Sequence, residues 1–203
     1  MLERCKLFNM NEKLLHECSG FSCGDKDIDE FFTKEYEAYA YELLGKSYCF
    51  VNMETHQIVA AFTVSNSILR VDYLSKSKRN LFNRTIPNPK KRSLYPAVLV
   101  GQLGINHPFQ GKHIGNEALD FIKAWFVDPM NKTGCRYVIV DAINHPKVID
   151  FYKRNGFSLL FDTNEDEWLS LHGSQSINED GSIPKIRTRL MYFNLMVLKK
   201  GTF

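Results

Sequence analysis

The chain has 203 residues, of which 44% are hydrophobic and 24% charged, and its formal net charge at pH 7 is +3. This length and composition predict one globular domain, 1–203, with a core of its own. Apolar runs stay well short of the ~20 residues of a membrane helix, and the charged N-terminus lacks a signal-peptide core. We therefore expect a cytoplasmic protein without membrane contact, and the small net charge alone does not indicate a polyanionic partner.

The cysteines lack the paired spacing of a zinc site, and their odd number argues against a complete disulfide framework. They stand at Cys5, Cys18, Cys23, Cys49 and Cys135. We expect reduced, mostly buried thiols and no bound metal. None of the five lies in a motif that indicates a cysteine nucleophile.

The N-terminal region predicts a strand and the start of a helix within 1–16. A turn and a longer helix follow in 21–32, FSCGDKDIDEFF, where Asp25 is a suitable N-cap residue. The pattern extends this helix to Leu44, and Gly45 is expected to end it. Beyond it, two short segments rich in β-branched and aromatic residues predict a β-hairpin, at 47–51 and 58–65.

A strongly basic segment follows the hairpin. Residues 76–92 contain seven lysines and arginines and no acidic residue, together with two prolines. This composition predicts an exposed, irregular insertion near 74–94. Two interpretations remain open: a solvated loop, or a surface that contacts RNA phosphates or funnels an acidic substrate, with Phe82 and Tyr95 available for stacking.

The central stretch, 97–126, reads AVLVGQLGINHPFQGKHIGNEALDFIKAWF. An apolar run predicts a buried strand, and a glycine-bearing turn leads to a helix with one apolar face. Such a turn directs unpaired backbone N–H groups and the positive end of the helix dipole at one spot, which suits a phosphate or pyrophosphate. The Walker pattern and the three-glycine dinucleotide fingerprint are both absent.

The remaining third predicts two more strands and a helix that starts at Pro146. The strands are a buried one at 136–140 and a later one at 158–161. A polar stretch, 162–185, separates the later strand from a final strand within 188–198 and predicts a loop insertion, either a mobile loop or a lid.

Two motifs in this half resemble one enzyme family. Gln110-Gly111-Lys112-His113-Ile114-Gly115 resembles the Gln/Arg-x-x-Gly-x-Gly/Ala loop that binds the acyl-CoA pyrophosphate in GNAT (GCN5-related) N-acetyltransferases, with His113 in place of the middle glycine. Residues 150–157, DFYKRNGF, resemble the later Tyr-x-x-x-Gly-Phe signature. The resemblance covers about 95–160. It implies an α+β fold with a mixed, mostly antiparallel sheet that is splayed at its middle and flanked by helices.

The resemblance also implies acetyl-CoA as co-substrate and direct transfer of acetyl to a primary amine in a ternary complex. A backbone N–H near Ile105 is expected to polarise the thioester carbonyl, and Tyr152 to protonate the departing thiolate. The residues expected at the CoA site come from one strand end, the loop and one later position. They are Leu103, Gly104, Ile105, Gln110, Gly111, Lys112, His113, Ile114, Gly115 and Asn144.

The general base stays open among three residues and a fourth alternative. His107 precedes the loop, Asp141 follows the strand at 136–140, and His145 stands where the family often has Asn or Asp. A histidine titrates near pH 7. An α-amine with a pKa of about 7.7 to 8 is partly neutral already, so the reaction without a dedicated base is the fourth alternative.

The Phe-x-Cys-Gly turn at 21–24 is similar to that of a GNAT subgroup whose members include toxins that acetylate aminoacyl-tRNA. This similarity and the basic segment 76–92 make aminoacyl-tRNA one candidate acceptor; a metabolite, peptide or protein amine is the other. A non-catalytic module that binds CoA or a partner is the alternative outside enzymes. Homodimers are common in the family, so the resemblance also makes a homodimer an expectation.

Overall fold

A computed structural model describes residues 2–18, 20–84, 86, 92–173 and 176–199. The chain forms two compact units. Unit 1 comprises Met1–Asn66 and Leu99–Lys132, and unit 2 comprises Ser67–Val98 and Thr133–Phe203. The expectation of a single domain stays a prediction.

The strands form one open sheet with the order β1-β2-β3-β4-β5-β7-β6. Neighbouring pairs at both ends of the sheet run antiparallel, β1 with β2, β2 with β3, β5 with β7, and β6 with β7. The strands are β1 (Cys5–Asn9), β2 (Lys46–Asn52), β3 (Gln57–Arg70), β4 (Leu94–Ile105), β5 (Tyr137–Ile143), β6 (Ser158–Leu159) and β7 (Thr188–Asn194).

The helices join and cover these strands. They are α1 (Glu12–Glu17), α2 (Lys26–Glu30), α3 (Tyr36–Tyr41), α4 (Lys76–Asn83), α5 (Ile114–Val127), α6 (Pro146–Arg154), α7 (Asn164–His172) and α8 (Met196–Lys199). A π-helical turn at Phe31–Glu35 links α2 to α3, and short 3-10 turns lie at Leu2–Arg4 and His107–Phe109.

In unit 1, β3 is buried from Ile58 to Val64 because both of its faces are covered. One face packs on the N-terminal helices, where Phe32 lies edge-on to Phe21 at 5.5 Å between ring centroids. On α5, Trp125 lies edge-on to Phe62 at 6.4 Å. These aromatic contacts fix the strand that flanks β4 in the sheet.

In unit 2, β5 pairs with β7 along its whole length, from Tyr137 opposite Asn194 to Ile143 opposite Thr188. Strand β5 therefore continues through 141–143, which the sequence had suggested as the exit from a shorter strand. Helix α6 begins at the predicted Pro146 and ends at Arg154, so it carries the tyrosine of the Tyr-x-x-x-Gly-Phe motif, whereas Gly156 and Phe157 follow its end.

The predicted helix start at Asp25 is confirmed, because its carboxylate accepts from the N–H groups of Asp27 and Ile28. The predicted end at Leu44 is wrong, since α3 ends at Tyr41 and Leu43 takes the left-handed conformation at φ 57°. Gly45 has a packing role instead: a Cβ there would lie 2.7 Å from the Tyr39 ring.

The basic insertion contains a helix where the composition predicted irregular structure. Ser75 caps α4 by accepting from the Lys78 N–H, although at 3.4 Å. Lys90 and Lys91 lie outside the described residues, as do the two prolines. Phe82 and Tyr95 were suggested to stack on bases. They pack instead in an aromatic cluster with Tyr137 and Tyr192, and Tyr95 is 2% exposed.

The polar insertion 162–185 also contains a helix, α7, in place of the predicted loop. Thr163 caps its start by accepting from the Asp166 N–H at 3.0 Å, and Gly173 follows its end with φ 78°. The buried Glu167 carboxylate accepts from Arg189 Nε of β7 at 2.5 Å. This ion pair attaches α7 to the sheet.

All five cysteines are free thiols, with Cys18 and Cys49 buried and the other three half-buried. Among the described residues no group of acidic, histidine or cysteine side chains is arranged to hold a metal ion. Within the same part of the chain, no helix is long and apolar enough to cross a membrane.

Candidate active site

The end of β4 leads into a loop that a buried asparagine holds in place. Asn106 is 5% exposed; its Nδ2 donates to the Ile58 carbonyl at 2.7 Å and its backbone N–H to the Val59 carbonyl at 3.0 Å. Its carbonyl accepts from Phe109 N–H at 2.8 Å, closing the 3-10 turn. The chain therefore enters 110–115 from a rigid anchor on β3.

The five backbone N–H groups of 111–115 have no hydrogen-bond acceptor among the described residues. They come directly before and within the first turn of α5, where the helix leaves its own first N–H groups unpaired. Gly111 has φ 73° and open space where a Cβ would lie. Consecutive amides at a helix N-terminus bind anions through hydrogen bonds and the helix dipole, so this loop is suited to a pyrophosphate.

His113 fills the position that is glycine in the motif, and it does so in the left-handed conformation, with φ 62° and ψ 12°. Histidine adopts this region several-fold more often than most other non-glycine residues. Its carbonyl accepts from the N–H groups of Asn116 and Glu117 at 3.0 and 3.3 Å. The histidine thus keeps the backbone torsions that a glycine would supply.

The side chain of Gln110 turns toward the protein. Its Nε2 donates to the Cys23 carbonyl at 2.7 Å and to the Ile105 carbonyl at 3.0 Å. Lys112 lies exposed, and its Nζ donates to the Pro108 carbonyl at 2.9 Å. The Gln110 side chain therefore stabilises the loop through its hydrogen bonds to the backbone. The Lys112 ammonium adds positive charge beside the free amides.

Close packing explains why residue 104 is a glycine. A Cβ there would lie 2.8 Å from Phe21 Cζ, 3.1 Å from Ile28 Cγ2 and 3.3 Å from Cys23 Cβ. The close approach is thus made by the N-terminal turn rather than needed for a ligand alone. Leu103 and Ile105, on either side, are half-buried in β4. The role of all three at a CoA arm stays a prediction, as does the splay of the sheet.

In unit 2, Tyr152 lies half-buried in α6 between two phenylalanines. Its ring is edge-on to Phe151 at 5.2 Å and to Phe157 at 5.4 Å. Burial raises the pKa of Tyr152 to about 12, and its hydroxyl has no hydrogen-bond partner among the described residues. The phenol is therefore protonated at neutral pH and free to donate, which suits an acid and not a base.

The three candidate bases differ in their surroundings. His107 begins the 3-10 turn in unit 1 with an exposed side chain. His145 caps α6, where its Nδ1 accepts from the Lys147 N–H at 3.3 Å. Asp141 projects from β5 with an exposed side chain, yet the protein around it desolvates the carboxylate and raises its pKa. None of these contacts assigns a base.

Asn144 makes structural contacts within unit 2. Its Nδ2 donates to the Ile186 carbonyl at 3.1 Å and to Asn164 Oδ1 at 3.4 Å, and its backbone N–H donates to the Arg187 carbonyl at 2.9 Å. These bonds tie the end of β5 to the start of the polar insertion and to residues 186–187, just before β7. A further contact of Asn144 to CoA stays a prediction.

No protein-family model matches the sequence, and no curated protein matches it significantly. Solved structures do match. A tyrosine-to-phenylalanine variant of KacT shares 18% identity over 97% of this chain and 98% of its own, with a TM-score of 0.68. AtaT complexed with acetyl-methionyl-tRNAfMet shares 18% identity over 98% and 99%, with a TM-score of 0.64. This chain has the GNAT fold. AtaTR bound with acetyl-CoA is also similar, at 19% identity over 99% of both chains and a TM-score of 0.61.

The GNAT fold confirms the predicted fold class. The phosphate-binding role of the loop at 110–115 stays a prediction. The sequence did not predict the residues that hold this loop, Asn106 and the turn at 21–24. In the sequence, the turn at 21–24 is recognisable only by its similarity to the turn of a GNAT subgroup. The sequence signal that could have indicated how this turn is held is Asp29, six residues after Cys23. Its Oδ1 accepts from the Cys23 N–H.

Proposed function

We propose that this chain is an acetyl-CoA-dependent N-acetyltransferase whose acceptor is the α-amine of an aminoacyl-tRNA. The observation that carries the proposal is the row of unpaired backbone N–H groups at 111–115, a site for the CoA pyrophosphate at the start of α5. The residues present fit CoA, because the amides supply donors and Lys112 supplies charge. The GNAT fold and the acetyl-CoA bound by AtaTR support this cofactor.

The chemistry is a direct transfer. The neutral amine attacks the thioester carbonyl carbon, the C–S bond breaks, and the thiolate of CoA takes a proton. Tyr152 is the proposed donor, because its phenol is protonated at neutral pH and its hydroxyl has no hydrogen-bond partner among the described residues. The nitrogen loses its proton to solvent, from which the phenolate of Tyr152 is reprotonated. The proposed transfer uses no cysteine nucleophile, and burial raises the pKa of all five thiols, which disfavours the thiolate that a nucleophile needs.

The proposed acceptor rests on the basic segment and on the fold neighbours. Lys76, Arg84 and Arg92 are exposed around α4 and are available to RNA phosphates. Lys78 pairs with Asp162 at 2.5 Å and is less available. AtaT was solved with acetyl-methionyl-tRNAfMet and, in another structure, with the C-terminus of the antitoxin AtaR. A toxin role under control of an antitoxin partner belongs to the same proposal.

The test is acetyl transfer from labelled acetyl-CoA to a pool of aminoacylated tRNAs, with nuclease digestion and mass spectrometry of the released acetyl-aminoacyl-adenosine. Free amines, peptides and protein lysates are offered in parallel. Tyr152→Phe is expected to lower kcat by about 10²-fold or more at similar CoA affinity. Tyr41→Phe, on a tyrosine that is 84% exposed, is the matched control and keeps wild-type kcat.

Three outcomes distinguish the alternatives. Label on aminoacyl-tRNA that is lost in Tyr152→Phe supports the proposal, and growth arrest on expression would accompany it. Label only on a metabolite or protein amine contradicts aminoacyl-tRNA as the acceptor but is consistent with the proposed acetyl transfer. CoA binding with no label on any amine contradicts the enzyme and favours a CoA-binding module.

A further inference from the structure

The turn at 21–24 has no part in the proposed chemistry, yet one carboxylate organises it. Asp29 Oδ1 accepts from the Cys23 N–H at 2.6 Å, and Oδ2 accepts from the Ser22 hydroxyl at 2.7 Å. Burial alone would raise the pKa of Asp29, but hydrogen bonds from Cys23, Ser22 and the Gly24 N–H outweigh it and lower the pKa. The carboxylate is therefore ionised at neutral pH and holds the turn through charge-assisted hydrogen bonds.

The other side of the turn contacts the segment that leads into the candidate CoA loop. The Ser22 carbonyl accepts from the His107 N–H at 2.8 Å, and the Ser22 N–H donates to Asn106 Oδ1 at 3.3 Å. The Cys23 carbonyl accepts from Gln110 Nε2 at 2.7 Å. The same Nε2 donates to the Ile105 carbonyl at 3.0 Å, so the turn and the end of β4 are joined through one side chain.

Two glycines allow this close approach. Gly104 leaves room for the Phe21 ring, and Gly24 takes φ 82° beside the His107 ring. On one side the turn therefore contacts the segment that leads into the loop through backbone groups. On the other side Asp29 holds the turn in place. Each of these contacts lies within unit 1.

The geometry points to Asp29 as a positioning residue for acyl-CoA binding, acting through the 21–24 turn and Gln110 on the amides at 111–115. This role rests on the proposed function, because it assumes that the loop binds CoA. Asp29 touches neither the loop amides nor any reacting atom. Its carboxylate accepts from the Cys23 N–H, the Cys23 carbonyl accepts from Gln110 Nε2, and Gln110 is the residue before the first free amide.

The test measures the Kd for CoA by calorimetry and the steady-state parameters for acetyl-CoA. In Asp29→Asn one oxygen that accepts a hydrogen bond becomes an NH₂ group, which faces a donor in the turn. We expect the Kd and KM for CoA to rise by about tenfold, with kcat at saturating acetyl-CoA within about twofold of wild type. Ser22→Ala removes only the hydroxyl bond and is expected to show a smaller shift in the same direction.

Asp25→Ala is the matched control. It removes the N-cap of the same helix and lowers stability without contacting the turn through its side chain, so a merely structural effect would appear in it equally. We expect its Kd for CoA to match wild type. Coupling through Gln110 is checked with Gln110→Leu: the double variant with Asp29→Asn should bind CoA about as weakly as Gln110→Leu alone.

The outcomes separate two failures. A wild-type protein that does not bind CoA overturns the proposed function and this role with it. CoA binding by wild type, with the same Kd in Asp29→Asn or an equal loss in Asp25→Ala, overturns the positioning role alone. Additive losses in the double variant overturn the path through Gln110.

Discussion

Gly111 and His113 give the loop its shape through left-handed backbone torsions, with φ of 73° and 62°. The left-handed conformation raises the conformational energy of a non-glycine residue by roughly 1–2 kcal/mol. His113 adopts it within a loop that is anchored by Asn106 on one side and by α5 on the other. Successive backbone N–H groups in turns that contain left-handed residues form concave sites that bind anions. A substitution in this loop therefore tests ligand binding by the amides and backbone strain together.

Gly111→Val tests the loop at the residue scale. A β-branched side chain is strained at positive φ and places a bulky group where a ligand would meet the amides, so the Kd for CoA should rise by about tenfold or more. Gly181→Val is the matched control, since Gly181 has φ 82° and open space around it in unit 2. Calorimetry with CoA should show weakened binding only in the loop variant. Equal affinities would contradict the assignment of the loop.

Elements were predictable where local signals and burial agree. The cap at Asp25, the periodic face of α5 and the Pro146 start of α6 are all local, and each lies where the pattern indicated. Helices α4 and α7 were interpreted as loops because their composition is polar. Their caps, Ser75 and Thr163, are recognisable afterwards, but polar caps also occur in turns. The contact that holds α7 spans 22 residues, from Glu167 to Arg189, and no sequence period reveals it.

The candidate site was likewise predictable only in part. The loop at 110–115 was predictable, because its glycines and the following helix are consecutive in the chain. The reason for Gly104 was not, because the side chains that fill its space, Phe21, Cys23 and Ile28, lie about 80 residues earlier. The inward direction of Gln110 depends on the same distant turn. The motif therefore predicts where the candidate site lies, whereas packing between distant segments determines how the loop is held.

Glu167→Ala tests the attachment of α7 to β7. Glu167 and Arg189 are 3% and 7% exposed, and Glu167 Oε1 also accepts from the Leu190 N–H at 2.7 Å. Removing the carboxylate leaves a buried guanidinium without its charge partner. We expect the free energy of unfolding to fall by about 3 kcal/mol, measured by urea denaturation. Glu165→Ala, exposed in the same helical turn, should change it by about 0.5 kcal/mol or less. Equal effects would contradict the role of the ion pair.

At the scale of the whole molecule, both units bury groups that ionise only at alkaline pH. Burial raises the pKa of Cys49 to about 12 and that of Cys23 to about 11 in unit 1. It raises the pKa of Cys135 to about 11 and that of Tyr152 to about 12 in unit 2. The folded state therefore holds these protons more tightly than the unfolded chain, whose thiols and phenols ionise near pH 9 and 10.

This difference predicts the direction of alkaline unfolding. Below about pH 8 these thiols and phenols are protonated in both states and contribute no pH dependence, whereas above pH 9 the unfolded state loses their protons first. Each such group then lowers the free energy of unfolding by up to about 1.4 kcal/mol per pH unit until its folded-state pKa is reached. The melting temperature, measured in reductant from pH 7 to 11, should be flat at first and then fall. Cys49→Ala, at a position that is 0% exposed, should lower the melting temperature at every pH but make the alkaline decline shallower; a parallel curve would contradict the contribution of that thiol.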